Sequence, residues 1–275
     1  KIMSIDHVLK LYSKTIQSSY LHYGFWDDPN SIKIETINLE EIKNAQGRYI
    51  EHLASYIPDD VKLILDVGCG IGGNAEFLAK KGYDLETLSP DDFQRSVINE
   101  KFNGKIPFHH CKFEKFQPEK KYDLILESES ACYINIEKGF EKAREALSKT
   151  GYLLASDYFV HFRDRSKSPH LRSSHDMKKY LKSAKEYGFE LLSEYDQTDN
   201  TMPTLDCGKY FFERFIEPTA DYAAYSLQKN YPRTSSIIEK LIMPKIDAKK
   251  EQLDLLDSNI FRKYRKYMIY LFQKK

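Results

Sequence analysis

The chain has 275 residues, of which 41% are hydrophobic and 30% are charged, and its formal net charge is +1. These values are ordinary for a globular protein with one large domain or two small ones, and they exclude a strongly charged or low-complexity chain. Neither the charge nor any apolar run indicates nucleic-acid binding or a membrane span. Cys69, Cys111, Cys132 and Cys207 show neither a CxxC pair nor a metal-binding spacing. We therefore expect free thiols and a cytoplasmic location.

The first 57 residues contain two predicted helices and an aromatic cluster. Apolar residues recur at helical spacing between Val8 and Ile16, and again within 38–56. The segment 18–27 between them holds four aromatic residues and a histidine, including the single tryptophan of the chain. Because two helices cannot form a core alone, residues 1–57 are predicted to be a lid over the ligand-binding edge of a sheet.

A glycine-rich turn follows the first predicted strand. The strand is the apolar, β-branched run from Val61 to Val67, which is typical of a buried parallel strand and contains a single acid, Asp66. Glycines at 68, 70, 72 and 73 allow a tight turn and a close approach of a ligand to the backbone. Helical spacing then continues to Gly82. This strand, turn and helix predict the nucleotide-binding corner of a doubly wound sheet.

The rest of the chain alternates between predicted strands and helices. Strands are expected at 83–88, 106–111, 122–127, 151–158, 189–195 and 267–272, and helices at 91–102, 136–147 and 177–187. This order predicts a doubly wound, mostly parallel, seven-stranded α/β sheet. We divide the chain into an N-terminal helical lid (1–57), a cofactor-binding α/β core (58–195), a helical insertion completing the lid (196–263) and the final core strand (264–275).

The charge beside the turn indicates which ligand it binds. Gly68, Gly70 and Gly73 satisfy the three-glycine dinucleotide pattern, which is weak evidence alone. Asp66 would repel a pyrophosphate, but it suits a ligand with an ammonium or sulfonium group.

Several segments resemble class I S-adenosylmethionine-dependent methyltransferases. Residues 65–72, Leu-Asp-Val-Gly-Cys-Gly-Ile-Gly, closely resemble the first motif of that family. Residues 87–90 with Gln94 resemble cyclopropane fatty acid synthases and related small-molecule methyltransferases. Residues 123–131 and the lid motif at 21–26 are similar to tocopherol and sterol methyltransferases.

This resemblance implies a Rossmann-like fold, S-adenosylmethionine as cofactor and a set of binding residues. The implied cofactor-binding residues are Tyr23, Trp26, Asp66, Gly68, Cys69, Gly70, Gly72, Thr87, Leu88, Gln94, Lys112, Phe113 and Glu127. Two positions depart from the usual pattern. Glu86 or Thr87 stands where most members have an acid for the ribose, and Lys112 stands where an Asp normally contacts adenine.

Two residues are candidates for acid–base chemistry. Glu129, just after the fourth strand, is the first candidate for orienting or deprotonating an acceptor. His161, after the fifth strand, is the second candidate for a general base. His109 and His110 are adjacent on a strand and face opposite sides, so we expect no metal site.

The sequence therefore predicts methyl transfer from S-adenosylmethionine to a small-molecule acceptor with an apolar portion, by a monomer or weak dimer. A related alternative is cyclopropane-type methylene transfer to a lipid alkene. An NAD-dependent oxidoreductase and a cofactor-binding protein without catalytic activity also stay open.

Overall fold

The computed structural model describes residues 17–161, 174–231 and 256–275. Its strands are β1 (Leu63–Val67), β2 (Asp84–Leu88), β3 (Phe108–His109), β4 (Tyr122–Ser128), β5 (Leu147–Val160), β6 (His175–Asp176), β7 (Phe189–Asp196) and β8 (Arg265–Lys274). Its α-helices are α1 (Leu39–Ala54), α2 (Gly73–Lys80), α3 (Asp92–Phe102), α4 (Ile136–Ala146), α5 (Met177–Glu186), α6 (Thr198–Phe211), α7 (Glu217–Asn230) and α8 (Ser258–Tyr264). The helix predicted between Val8 and Ile16 lies outside the described residues.

The strands form one sheet in the order β3-β2-β1-β4-β5-β8-β7. Strands β1 to β5 pair in parallel, whereas β8 is antiparallel to both β5 and β7. The short β6 pairs in parallel with the end of β5, at Phe159 and Val160, and adds an eighth strand to the seven expected. The predicted mostly parallel α/β sheet is confirmed.

A separate apolar core covers each face of the sheet. Helix α1 contributes Tyr49 and Ile50 to one core, where they pack with residues of α2, α6 and α8. Helices α4 and α5 pack on the opposite face, where Phe140 and Tyr180 lie 4.9 Å apart between ring centroids. Helices on both faces complete the doubly wound arrangement.

Local chemistry explains where individual elements begin and end. Helix α1 starts in a capping box, because the Asn38 side chain accepts the Glu41 N–H while the Glu41 carboxylate accepts the Asn38 N–H. Strand β3 is shorter than the predicted 106–111, consistent with Pro107, which lacks the N–H that a longer ladder would need.

Helices occupy the described part of the predicted insertion. Helix α6 continues through a π-helical turn, Phe212–Ile216, into α7. Residues 18–26, which we call the strap, cross from the glycine turn to α6, where the Trp26 N–H donates to the Asn200 carbonyl at 2.9 Å. Within the described ranges, no helix has both the length and the apolar character needed to cross a membrane.

Candidate active site

The turn between β1 and α2 places glycines at three left-handed positions. Gly68, Gly70 and Gly72 all have left-handed backbones, with φ of +74°, +55° and +80°. A Cβ at Gly68 would lie 2.4 Å from the Cβ of Ser130. Gly70 is different, because the nearest atom to its Cβ position is Leu21 Cδ1 at 3.4 Å. Gly70 therefore leaves its backbone open beneath the strap.

A cleft of about 510 Å³ lies over this turn, at the carboxyl ends of the parallel strands. That is the edge at which open α/β sheets bind ligands, and the volume is within the usual range for small-molecule sites. Eight predicted site residues line the cleft: Gly68, Cys69, Gly70, Leu88, Gln94, Lys112, Phe113 and Glu129.

The charge of the cleft is predominantly negative. Its described lining contains three carboxylates, from Asp91, Glu114 and Glu129, and one lysine, Lys112. This balance disfavours a pyrophosphate and suits a ligand that carries positive charge.

Two buried acceptor oxygens near the turn have no hydrogen-bond partner among the described residues. One is Oε1 of Gln94, which lines the cleft. The other is Oδ2 of Asp66, which is 1% exposed at the end of β1. Burial raises the pKa of Asp66 to about 7. Because unpaired buried acceptors are costly, both atoms suit a ligand that brings hydrogen-bond donors.

Glu129 is held at the edge of the cleft by two hydrogen bonds to one oxygen. Its Oε1 accepts the Tyr23 N–H of the strap and the Tyr267 hydroxyl of β8, each at 2.6 Å. Burial raises the pKa of Glu129 to about 7, against the lowering effect of these two bonds. Its φ of +52° is uncommon for a residue other than glycine, and such strain is concentrated at functional sites.

The strap is fixed over the turn by His22. The ring is 6% exposed, stacks on Tyr49 with centroids 4.1 Å apart, and lies 2.9 Å from the Asn74 side chain. Burial lowers the pKa of His22 to about 4, so the ring is neutral near pH 7. Leu21 and His22 therefore form one wall of the cleft.

Two predicted cofactor-binding side chains lie outside the cleft. Trp26 is 4% exposed and packs toward α6, where its Nε1–H donates to Thr204 at 3.2 Å. Thr87 is fully buried, and its hydroxyl donates to the Pro107 carbonyl at 2.9 Å. Both side chains are used within the fold and neither lines the cleft, so their contact with the cofactor stays a prediction.

Glu127 and the Tyr23 ring also lie outside the cleft. The Glu127 carboxylate accepts the Tyr180 hydroxyl at 3.4 Å, on the face of the sheet covered by α4 and α5. The Tyr23 ring packs against Tyr267, with centroids 5.6 Å apart, so this residue serves the site through its backbone N–H.

His161 and Gly72, like Asp66, are not among the residues that line the cleft. Strand β5 continues to Val160, and His161 is an exposed residue whose Nε2 lies 3.1 Å from the Arg262 carbonyl. It does not line the cleft with Glu129. A Cβ at Gly72 would meet Ile98 of α3 at 2.6 Å, so this glycine serves packing on α3.

Residues 39–194 match the family described as "Methyltransferase domain". The match spans more than half of the chain. The chain belongs to this methyltransferase family. The resemblance inferred from the motifs is therefore confirmed.

The chain is similar to curated plant proteins over part of its length. It is 30% identical over 149 residues to a "Probable tocopherol O-methyltransferase, chloroplastic" of Oryza sativa subsp. japonica. The aligned part covers 48% of this chain and 40% of the rice protein. The tocopherol O-methyltransferase of Arabidopsis thaliana is 30% identical over 144 residues, with the same 40% of its length covered.

Solved structures share the fold over nearly the whole chain. A putative sarcosine dimethylglycine methyltransferase from Galdieria sulphuraria gives a TM-score of 0.74 at 19% identity, covering 98% of this chain and 99% of that one. A geranyl diphosphate C-methyltransferase from Streptomyces coelicolor A3(2), in complex with S-adenosyl-L-homocysteine, gives 0.68 at 13% identity, with coverages of 96% and 93%. These likenesses confirm the Rossmann-like fold.

Proposed function

We propose that this protein transfers the methyl group of S-adenosylmethionine to a small-molecule acceptor, with Glu129 as the group that orients or deprotonates that acceptor. The observation that supports this most strongly is the position of Glu129. Its carboxylate lines the same cleft as the open backbone of Gly70, and it carries no cationic partner among the described residues.

The residues around the turn fit the chemical groups of the cofactor. The unpartnered oxygens of Asp66 and Gln94 suit its ammonium and hydroxyl donors. Phe113, 2% exposed, offers an apolar wall, and the Gly70 backbone allows close approach. Lys112 stands at the position where the family usually has an Asp that contacts adenine. It is the single lysine among the described residues that line the cleft.

Bound S-adenosylmethionine supplies an activated methyl group on a sulfonium sulfur. The work left to the chain is to bind and align both molecules and exclude water, and alignment alone contributes about 7–11 kcal/mol. Oε1 of Glu129 is occupied by two donors, which leaves Oε2 for the acceptor. With a pKa of about 7, Glu129 can accept the proton that the acceptor's O–H or N–H loses.

The acceptor is proposed to carry an apolar portion. Leu21, Tyr20, Tyr133 and Ile134 line the cleft beside its polar groups. The rice and Arabidopsis relatives are called tocopherol O-methyltransferases, which agrees with an apolar acceptor. The NAD-dependent alternative is not supported, given the family match and the acidic cleft.

Titration calorimetry with S-adenosylmethionine, its demethylated product and NAD tests the cofactor. We expect binding of the first two ligands and none of NAD; tight binding of NAD alone would overturn the proposal. Metabolite extracts incubated with methyl-labelled cofactor should then yield a labelled small molecule. Label transfer onto a lipid alkene would favour methylene transfer instead.

We further propose a reducing, cytoplasmic setting and a monomer or weak dimer. All four cysteines are free thiols, which supports the first point. Sedimentation velocity tests the second, and a tight oligomer at low concentration would contradict it.

A further inference from the structure

A continuous chain of hydrogen bonds runs behind Glu129 into the core. From the carboxylate, the Tyr267 hydroxyl lies at 2.6 Å, the Tyr49 hydroxyl lies 3.1 Å from Tyr267, and Ser156 Oγ lies 2.7 Å from Tyr49. One branch ends at Gln197, whose Nε2 donates to Ser156 at 2.8 Å, and a second ends at Ser128, whose Oγ lies 3.3 Å from the Tyr49 hydroxyl. The members come from α1, β4, β5, β8 and the residue before α6.

The direction of every proton in this chain is determined by its two ends. The carboxylate of Glu129 can only accept, so the Tyr267 hydroxyl donates its single proton to it. Tyr267 must then accept from Tyr49, and Tyr49 in turn accepts from Ser156 and from Ser128. The proton of Ser156 is thereby used, and its oxygen accepts the N–H of Gln197, a group that can only donate. All donors therefore point toward Glu129.

This order cannot be reversed without cost. A proton on Oε1 would point at two donors, because the Tyr23 N–H can only donate and the Tyr267 hydroxyl already donates to the same oxygen. Tyr267 would then have to turn its proton toward Tyr49, and Tyr49 would have to turn away from Tyr267 in its turn. The buried chain therefore favours Oε1 of Glu129 as an acceptor fixed in place, and its bonds strengthen one another.

We propose that Tyr267 is a positioning residue for Glu129, and that Tyr49, Ser156 and Gln197 fix the direction in which its hydroxyl donates. Tyr267 and the Tyr23 N–H together occupy Oε1, which turns Oε2 toward the acceptor. The catalytic consequence of this inference rests on the proposed function of Glu129. The effect of Tyr267 on the Glu129 carboxyl group does not depend on that function.

The other titratable groups around Glu129 do not lower the pKa of its carboxyl group through a hydrogen bond. Those that interact with it electrostatically are Tyr49, Cys132, Asp157, Tyr158 and Tyr267. Asp157, at the end of β5, raises the pKa of Glu129, while Lys112 and Glu114 line the same cleft with opposite charges. Among side chains, the Tyr267 hydroxyl is the one that lowers that pKa by a hydrogen bond.

The test compares two Tyr→Phe substitutions on one strand. Tyr267→Phe removes the hydroxyl at Glu129. Tyr270→Phe is the matched control, because Tyr270 is also fully buried on β8 but faces the other core, and its hydroxyl has no hydrogen-bond partner in the described part of the chain. Carbon-13 NMR of labelled glutamate carboxyls in the cofactor-free protein follows the titration, and the Glu129 signal is assigned by its loss in Glu129→Gln.

We expect Tyr267→Phe to raise the pKa of Glu129 by about one pH unit, the effect of one lost hydrogen bond to a charged group. Tyr270→Phe should leave it unchanged. Tyr49→Phe, which keeps the Tyr267 hydroxyl but removes its donor, should raise it by less, and it serves if Tyr267→Phe does not fold. An unchanged Glu129 titration in both Tyr267→Phe and Tyr49→Phe would overturn the inference.

The same variants separate this inference from the proposed function. If Glu129 is the base, the acid limb of the kcat/KM profile should move to higher pH in Tyr267→Phe by the amount seen by NMR, with turnover recovering at alkaline pH. A shifted titration without any methyl transfer would support the positioning role of Tyr267 and refute the proposed reaction.

Discussion

Gly70 provides the sharpest test of where the cofactor binds. In Gly70→Ala the new Cβ would contact Leu21 Cδ1 at an ordinary 3.4 Å, so packing tolerates it. Because the backbone is left-handed there, at φ +55°, an alanine should lower the free energy of unfolding by about 1–2 kcal/mol. The methyl group itself would project into the space between turn and strap, where we place the ligand.

Gly104 separates these two effects. It also has a left-handed backbone, at φ +75°, and a Cβ there would meet nothing within 4 Å. It follows α3 and lies outside the cleft. Gly104→Ala should therefore lose a similar amount of stability without affecting the ligand site.

The assay combines chemical denaturation with titration calorimetry. Both variants should lose about 1–2 kcal/mol of unfolding free energy. Only Gly70→Ala should lose more than about tenfold in affinity for S-adenosylmethionine, equivalent to 1.4 kcal/mol. Wild-type affinity in a folded Gly70→Ala protein would refute the placement of the cofactor at this turn.

Three further predictions concern the residues around the cleft. Glu129→Gln should keep cofactor affinity within a few-fold but reduce turnover by about 10²–10⁴-fold if Glu129 is a general base; unchanged turnover with an identified acceptor would remove it from the site. The strap should become more resistant to proteolysis when the cofactor or its product is bound, and identical digestion patterns would count against closure. Burial raises the pKa of Glu127 from 4.5 to about 8, so the folded state retains a proton that the unfolded state loses, and unfolding free energy should fall as the pH rises between these values. Glu127→Gln should flatten that pH dependence, stabilise the protein at pH 8 and leave cofactor affinity unchanged, as measured by denaturation and calorimetry.

Periodicity and glycine placement were sufficient to predict most of the fold. The predicted strand 61–67 is Leu63–Val67, and the predicted helix 91–102 is Asp92–Phe102. These elements are fixed by local patterns, because a buried strand and an amphipathic helix each require a characteristic apolar spacing. The two-residue β6 has no such pattern and exists only through its pairing with β5. The division of the chain into lid, core and insertion stays a prediction.

Side-chain direction was harder to predict than position. Glu127 and Glu129 are two residues apart, and a regular strand would place both on the same face. The left-handed backbone of Glu129 breaks that alternation at the end of β4. As a result Glu127 contacts Tyr180 on one face of the sheet, and Glu129 contacts Tyr267 on the other. No local pattern in the sequence indicates this reversal.

The groups that hold Glu129 could not be found from sequence for a topological reason. Tyr267 is 138 residues away along the chain and reaches Glu129 because β8 enters the sheet beside β5 in the antiparallel direction. That direction places the beginning of β8, rather than its end, at the edge where β4 and β5 terminate. A motif search around the glycine turn therefore finds the surface that receives the cofactor. The hydrogen bond to the Glu129 carboxylate at the same cleft depends on the antiparallel direction of β8. A parallel strand at this position would bring its last residues to Glu129, and Tyr267 would lie at the opposite end of the sheet.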